Sequence, residues 1–190
     1  MLAFTRLTSI LLFVLSLGFL VSALPTSESK ALAARHASDD LVTLIAKLEV
    51  DVNLHAKAIA AVTVAADVIA KVQLLVADVT TCANAVVAIG ANIDIDASVR
   101  ADIAVKVAAI ISVIVKLCVD LVAKFGILVV VGLLAKIDFC LNLLILNLGV
   151  CVSGIVTVIA GIVAQIGVSV LASVHLGLCI NVLGLIRITL

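Results

Sequence analysis

The side chains in this 190-residue chain that could carry chemistry are few: five cysteines, three histidines and one short run of oxygen-bearing residues. His175 and Cys179 stand four apart and would share one face of a helix. Two ligands do not close a tetrahedral metal site, so packing explains the pair better. Asn92, Asp94, Asp96 and Ser98 alternate like the early ligands of a calcium loop. However, Ala97 fills the sixth position, where the sharp turn needs Gly, and Ile103 the twelfth, where a bidentate Glu belongs. Asp96 or Ser98 capping a helix is the simpler expectation. His36 and His55 lie in no nucleophile motif, and no GxSxG, P-loop or dinucleotide fingerprint occurs. The expectation is a protein without catalysis, metal or cofactor. Its reactive groups reduce to the thiols of Cys82, Cys118, Cys140, Cys151 and Cys179.

Whether those thiols bond depends on where the chain matures. Met1 to Arg6 is a short basic start, Ile10 to Val21 an apolar run, and Val21-Ser22-Ala23 supplies small residues at signal-cleavage spacing. Residues 1–23 read as a secretory signal peptide. The alternative, an uncleaved anchor, is disfavoured because the run is shorter than the ~20 residues a membrane span needs. Cleavage leaves 167 residues with 11 basic and 12 acidic side chains, and only Phe125 and Phe139 as aromatic residues. No Asn-X-Ser/Thr sequon occurs.

The elements that must position the cysteines fall into two halves. Residues 24–38 (LPTSESKALAARHAS) hold the only proline and read as a flexible start, with Arg35 read as an exposed linker residue and a processing site there as the alternative. Residues 39–124 read as an amphipathic helical half and 125–190 as a hydrophobic helical half. Ser38-Asp39-Asp40 resembles a helix start, and Leu41, Leu44, Ile45, Leu48 and Val52 then mark one buried face. A second helix is expected over about 59–89, and a third over about 97–124. At 100° per residue Asp102, Lys106, Lys116, Asp120 and Lys124 fall within about 80°, so water touches only a narrow stripe of that third helix.

Charge then almost disappears. Residues 24–102 carry 16 charges, residues 103–190 only seven, and the 48 residues from Phe139 to Ile186 none. Two helices of ~20 residues fit that stretch, as a hairpin turning at Gly161 to Gly167. In such a hairpin Cys151 and Cys179 each lie fourteen residues from Gln165 and sit level, which makes them the first disulfide candidates. Cys82 and Cys118 match less well. An odd cysteine count leaves one thiol unpaired or intermolecular, and the alternative is that the thiols are buried and free. Val158, Val170, Leu171 and Leu178 are the expected interface-seeking surface of the hairpin.

The predicted class is all-α: an amphipathic helical bundle with a very hydrophobic C-terminal helical hairpin. With 65% hydrophobic residues and mean hydropathy +1.46, disorder is excluded, and balanced charge excludes an electrostatic nucleic-acid binder. Three readings remain. One is a secreted amphiphile that self-associates and seeks wall or other hydrophobic surfaces. Another is an integral membrane protein with two or three spans, which lacks the usual Trp/Tyr belts and basic flanks. The last is a secreted helical carrier with lipid as its partner, though the six-cysteine framework of saposin-like carriers is absent.

The layout as a whole carries a resemblance. A secretory signal, a short Ser/Glu/Lys/Arg start, an Ala/Val/Asp/Lys half with one cysteine in TTCANAVVAIG, and an uncharged Leu/Val/Ile/Gly tail ending VLGLIRITL follow one another. In this the chain resembles a group of small secreted proteins of mushroom-forming fungi that act beside hydrophobins in aerial hypha formation and attachment. The resemblance spans essentially the whole chain and is one of layout and composition. It implies a structural protein of the medium and hyphal wall. The chain is not a hydrophobin, since those have eight cysteines with two adjacent pairs.

Overall fold

The computed structural model describes residues 27–185, with 27–34 by backbone alone, and every regular element among them is helical. The helices are α1 (Ser27–Ala60), α2 (Ala65–Ile89), α3 (Ala97–Phe125), α4 (Ile127–Cys151), α5 (Ile155–Val163), a 3-10 turn (Ala164–Ile166), α6 (Val168–Ser173) and α7 (Gly177–Val182). The predicted all-α class holds. The signal peptide, residues 24–26 and the last five residues lie outside the described residues. Two units divide the chain, Met1–His36 and Ala37–Leu190, and the core belongs to the second.

Helix α3 buries most of its circumference. Its outward stripe is the predicted one: Asp102, Lys116, Asp120 and Lys124 are exposed and Lys106 half-buried. Around the rest of its circumference Ile103, Val107, Ile110, Ile111, Ile114, Leu117 and Leu121 are buried. Each such aliphatic side chain contributes about 1.5–3 kcal/mol on leaving water. Helix α2 runs closest to α4, because small residues let backbones approach. Ala83 is fully buried there, and Asn147 Nδ2 donates to its carbonyl oxygen at 2.8 Å. Helix α5 packs on α3 and α4, and α7 on α4.

Helix α1 buries the face read from its spacing, Leu41, Ile45, Leu48, Val52 and Ile59. Polar contacts fix its ends and register. His55 Nε2 lies 2.6 Å from Asp78 Oδ2 on α2. Lys124, on α3, donates to the carbonyl oxygens of Ala60 and Val62, which the end of α1 would otherwise leave unpaired. Loop 90–96 performs the same service for α4: the N–H groups of Asn92 and Ile93 donate to Val150 and Cys151 carbonyls at 3.0 and 2.8 Å. Asp96 stands at the N-cap position of α3 but makes no side-chain capping bond.

Three expectations are corrected. Helix α1 starts at Ser27, so residues 27–38 are not a flexible start and Ser38 caps nothing; Ala, Leu, Lys, Glu and Arg there favour helix and no glycine or proline interrupts them. The second helix starts at Ala65 rather than near Ile59, because Thr63 and Val64 pass through an extended break. Most consequentially, the uncharged stretch is not two helices of twenty residues. Its first part completes the 25-residue α4, and the remainder breaks into short pieces at Gly154 (φ +76°), Gly167 (φ +93°) and His175 (φ +59°).

Candidate interfacial surface and the Asp138 clasp

Helix α4 is too apolar to have one wet face. Its inner side buries Val130, Leu134, Ile137, Leu141, Leu144, Ile145 and Leu148. Its outer side exposes Leu128, Gly132, Ala135, Phe139, Leu146 and Val150, which at 100° per residue fall within about 60° of one another. Val131 lies just beside them. The result is an apolar stripe along about 33 Å of helix, with the half-buried Asn142 as the polar residue within it. Leu128, Val131, Phe139, Leu146 and Val150 are 44–90% exposed, which leaves about 4–9 kcal/mol of burial free energy unclaimed. A single cation, Lys136, stands exposed at the stripe's edge, about a third of the way along α4.

The predicted interface-seeking residues are placed mostly outside this stripe. Val158, Val170 and Leu178 are partly exposed, on α5, α6 and α7. Leu171 is corrected: it is fully buried, because six-residue α6 turns it inward beside Val174 and Leu176.

The cysteines are all buried, free thiols. The expected Cys151–Cys179 bond is absent, since the hairpin that would bring those residues level does not form. Cys151 ends α4 beside loop 90–96, whereas Cys179 lies on α7 near Cys118, Cys140 and Asp138. Burial pushes the Cys118 thiol up to about 12, with Cys140 and Asp138 adding to it. Cys140 is pushed up to about 12 by burial, partly countered by backbone N–H groups. In Cys179 burial and then the Asp138 carboxylate act the same way and more strongly. Cys82 lines a cleft of about 90 Å³ between α1 and α2 with Leu48, Asp51 and Asp78, and burial raises it to about 12 despite Lys47 nearby. Cys151 is raised by burial alone. Such thiols stay protonated and unreactive.

Asp138 joins these elements. It is 4% exposed, and it accepts the backbone N–H groups of Leu178 (2.8 Å, Oδ2) and Cys179 (2.9 Å, Oδ1). The Cys179 thiol points at the Asp138 carbonyl oxygen at 3.8 Å. A carboxylate on α4 therefore satisfies the first N–H groups of α7, forty residues on. Sequence reading missed this clasp. The available signal was Asp138 itself, since a carboxylate inside so apolar a segment must find donors.

Among the described residues no group of three His, Cys, Asp or Glu could hold a metal ion. A second cleft, of about 300 Å³, lies between α1 and α3 and is rimmed by Lys57, Lys116 and Asp120. No protein-family profile, curated protein or solved structure matches this chain.

Proposed function

We propose that this chain is a secreted structural amphiphile of the fungal cell surface that assembles where a hydrophobic phase meets water, supporting aerial hypha formation and attachment. In this reading it works without catalysis, as an amphipathic helical bundle whose apolar C-terminal half seeks the interface. The observation that carries the reading is the outer stripe of α4, a full helix length of exposed Leu, Val and Phe with one charge at its edge. Exposed apolar patches of that extent mark interaction surfaces. Opposite polarity is supplied by the exposed Asp102, Lys116 and Asp120 of α3 and by the charged residues of α1. Buried, protonated thiols and a carboxylate already bonded to two N–H groups favour a structural role over a reactive one.

A second reading, an integral membrane protein, is favoured by two helices long and apolar enough to span, Ala65–Ile89 and Ile127–Cys151. Lys136 argues against spanning. Exposed well inside α4, it would lie deep in the hydrocarbon of a spanning helix at a cost of roughly 2.5–3.5 kcal/mol. A helix lying in the interface plane turns the same side chain to water at no such cost. A lipid carrier would need an apolar cavity, and each of the two clefts described above is rimmed by charge.

The decisive experiment combines fractionation with adsorption. Mature protein in the medium or wall fraction, and adsorption at a decane–water interface that falls at least tenfold in Leu128→Asp/Leu146→Asp, are the expected results. Retention in carbonate-washed membranes would favour the spanning reading. Unchanged adsorption of the double variant, with helicity retained, would overturn the role of α4.

A further inference from the structure

The α4 stripe holds adsorption only to about the millimolar-to-micromolar range, because a few partly exposed aliphatic side chains and one Phe are all that it offers. A structural coat needs a larger apolar area than the closed molecule presents. Residues 168–185 are the reserve. Their inner side chains, Leu171, Val174, Leu176, Ile180, Leu183 and Leu185, are buried, while Val170 and Leu178 face outward. The segment leaves the 3-10 turn at Gly167, whose φ of +93° makes it a natural pivot, and is itself only two six-residue helices joined at His175. Beyond the local bonds at Gly167, every hydrogen bond between described residues that joins this segment to the rest of the chain ends on Asp138.

That arrangement has a consequence at an interface. In water, the segment is held down by two contributions, burial of its inner side chains and the clasp on Asp138. Against an apolar phase the first contribution cancels, since those side chains leave water equally well by turning outward. Opening then gains the extra apolar area that the strap's inner face and the surface beneath it lay against that phase, and only the clasp opposes it. Its bonds are of the charge-assisted kind, and release obliges a buried carboxylate to find new donors. We propose that residues 168–185 form a strap, latched by Asp138, that stays closed in solution and swings out about Gly167 when the protein meets an apolar surface. The strap adds its inner face, and the α4 surface beneath it, to the interfacial contact. This deepens, and rests on, the reading of the chain as an interfacial amphiphile.

Hydrogen exchange on the full-length mature protein tests it directly, free in solution and adsorbed on polystyrene particles. In solution the amides of Leu178 and Cys179 should be protected. On the particles, residues 168–185 should lose protection by about tenfold or more while 97–151 keep theirs, as expected when charge-assisted bonds are lost. Asp138→Leu, which replaces the carboxylate with an apolar side chain of similar size, should shorten the lag before surface pressure rises by about tenfold, and Asp138→Asn by less. The wild-type exchange pattern decides the question even where a variant folds poorly. A strap that stays protected on the particles overturns the latch but leaves the amphiphile reading intact, as does an Asp138→Leu variant that folds normally and adsorbs at the wild-type rate. Failure of the wild type to adsorb at all overturns both.

Discussion

Raising the pH should unfold this protein from its thiols. Cys82, Cys118 and Cys140 are each pushed up to about 12 by burial, and Cys179 is raised further. In the unfolded chain the same groups ionise near their ordinary value of about 8.5. The sign follows from proton binding. Above that value the unfolded chain sheds protons that the folded chain keeps, so each thiol's contribution is complete below about pH 8.5 and is lost as pH climbs toward the folded value. The slope approaches about 1.4 kcal/mol per pH unit for each thiol, so four of them remove roughly 4–5 kcal/mol between pH 9 and 10. A domain of this kind has about 5–15 kcal/mol in total. Its alkaline midpoint should therefore fall near pH 10–11.

Urea titrations followed by circular dichroism at pH 7.5, 9, 9.5 and 10, under reducing conditions, read the slope as protons released on unfolding. Close to four are expected. Cys118→Ala should lower that count by about one, whatever it does to stability at pH 7.5. A slope below two protons would refute the account of the buried thiols. The same titration without reductant reports on pairing, since a cystine has no proton to lose. Two bonds would reduce the count to about one.

Glycine substitutions should divide by their surroundings. A Cβ at Gly149 would sit 2.9 Å from Val156 Cγ2, a stiff β-branched neighbour, so Gly149→Ala should cost about 1–3 kcal/mol in urea unfolding despite its better helix propensity. Gly132→Ala and Gly161→Ala meet nothing within 4 Å and should each stabilise by about 0.5–1 kcal/mol. Lys124→Met removes the donor to the Ala60 and Val62 carbonyls and should lower stability by about 1 kcal/mol, measured as a small fall in Tm. Ile114→Ala, at the buried centre of α3, should cost about 2–5 kcal/mol by the same urea assay.

How much of this was legible in the residues follows from where charge stands. Helix α3 was read with its bounds correct to one residue and its wet stripe intact, because five charges at helical spacing leave one orientation open. The buried face of α1 was equally plain, yet its start was not, since Ser38-Asp39-Asp40 satisfies the local rule for a cap inside a sequence whose neighbours already favour helix. In the C-terminal half periodicity fails: when nearly every residue is Val, Ile, Leu or Gly, each face of a helix looks like its core. There the outer stripe of α4 and the inward turn of Leu171 are decided by tertiary packing, which composition does not encode. The break at Gly167 falls at the end of the turn expected over Gly161 to Gly167, whereas the one at Gly154 was visible only as a glycine among other glycines.

The one place where that apolar half departs from its own composition is also where its parts are joined. Asp138 and Lys136 stand two residues apart on α4, and the helix sends them to opposite environments. Lys136 is exposed at the edge of the outer stripe. Asp138 goes inward, where it accepts hydrogen bonds from backbone N–H groups at the start of a short helix far along the chain. An apolar residue at position 138 would pack at least as well, because buried ionic contacts are seldom more stabilising than aliphatic replacements of the same volume. What an aliphatic residue could not do is hold the strap in one register in water and still let go of it when water is replaced by an apolar phase. Non-directional burial provides cohesion in this protein, and Asp138, the single buried carboxylate among the described residues, provides the direction.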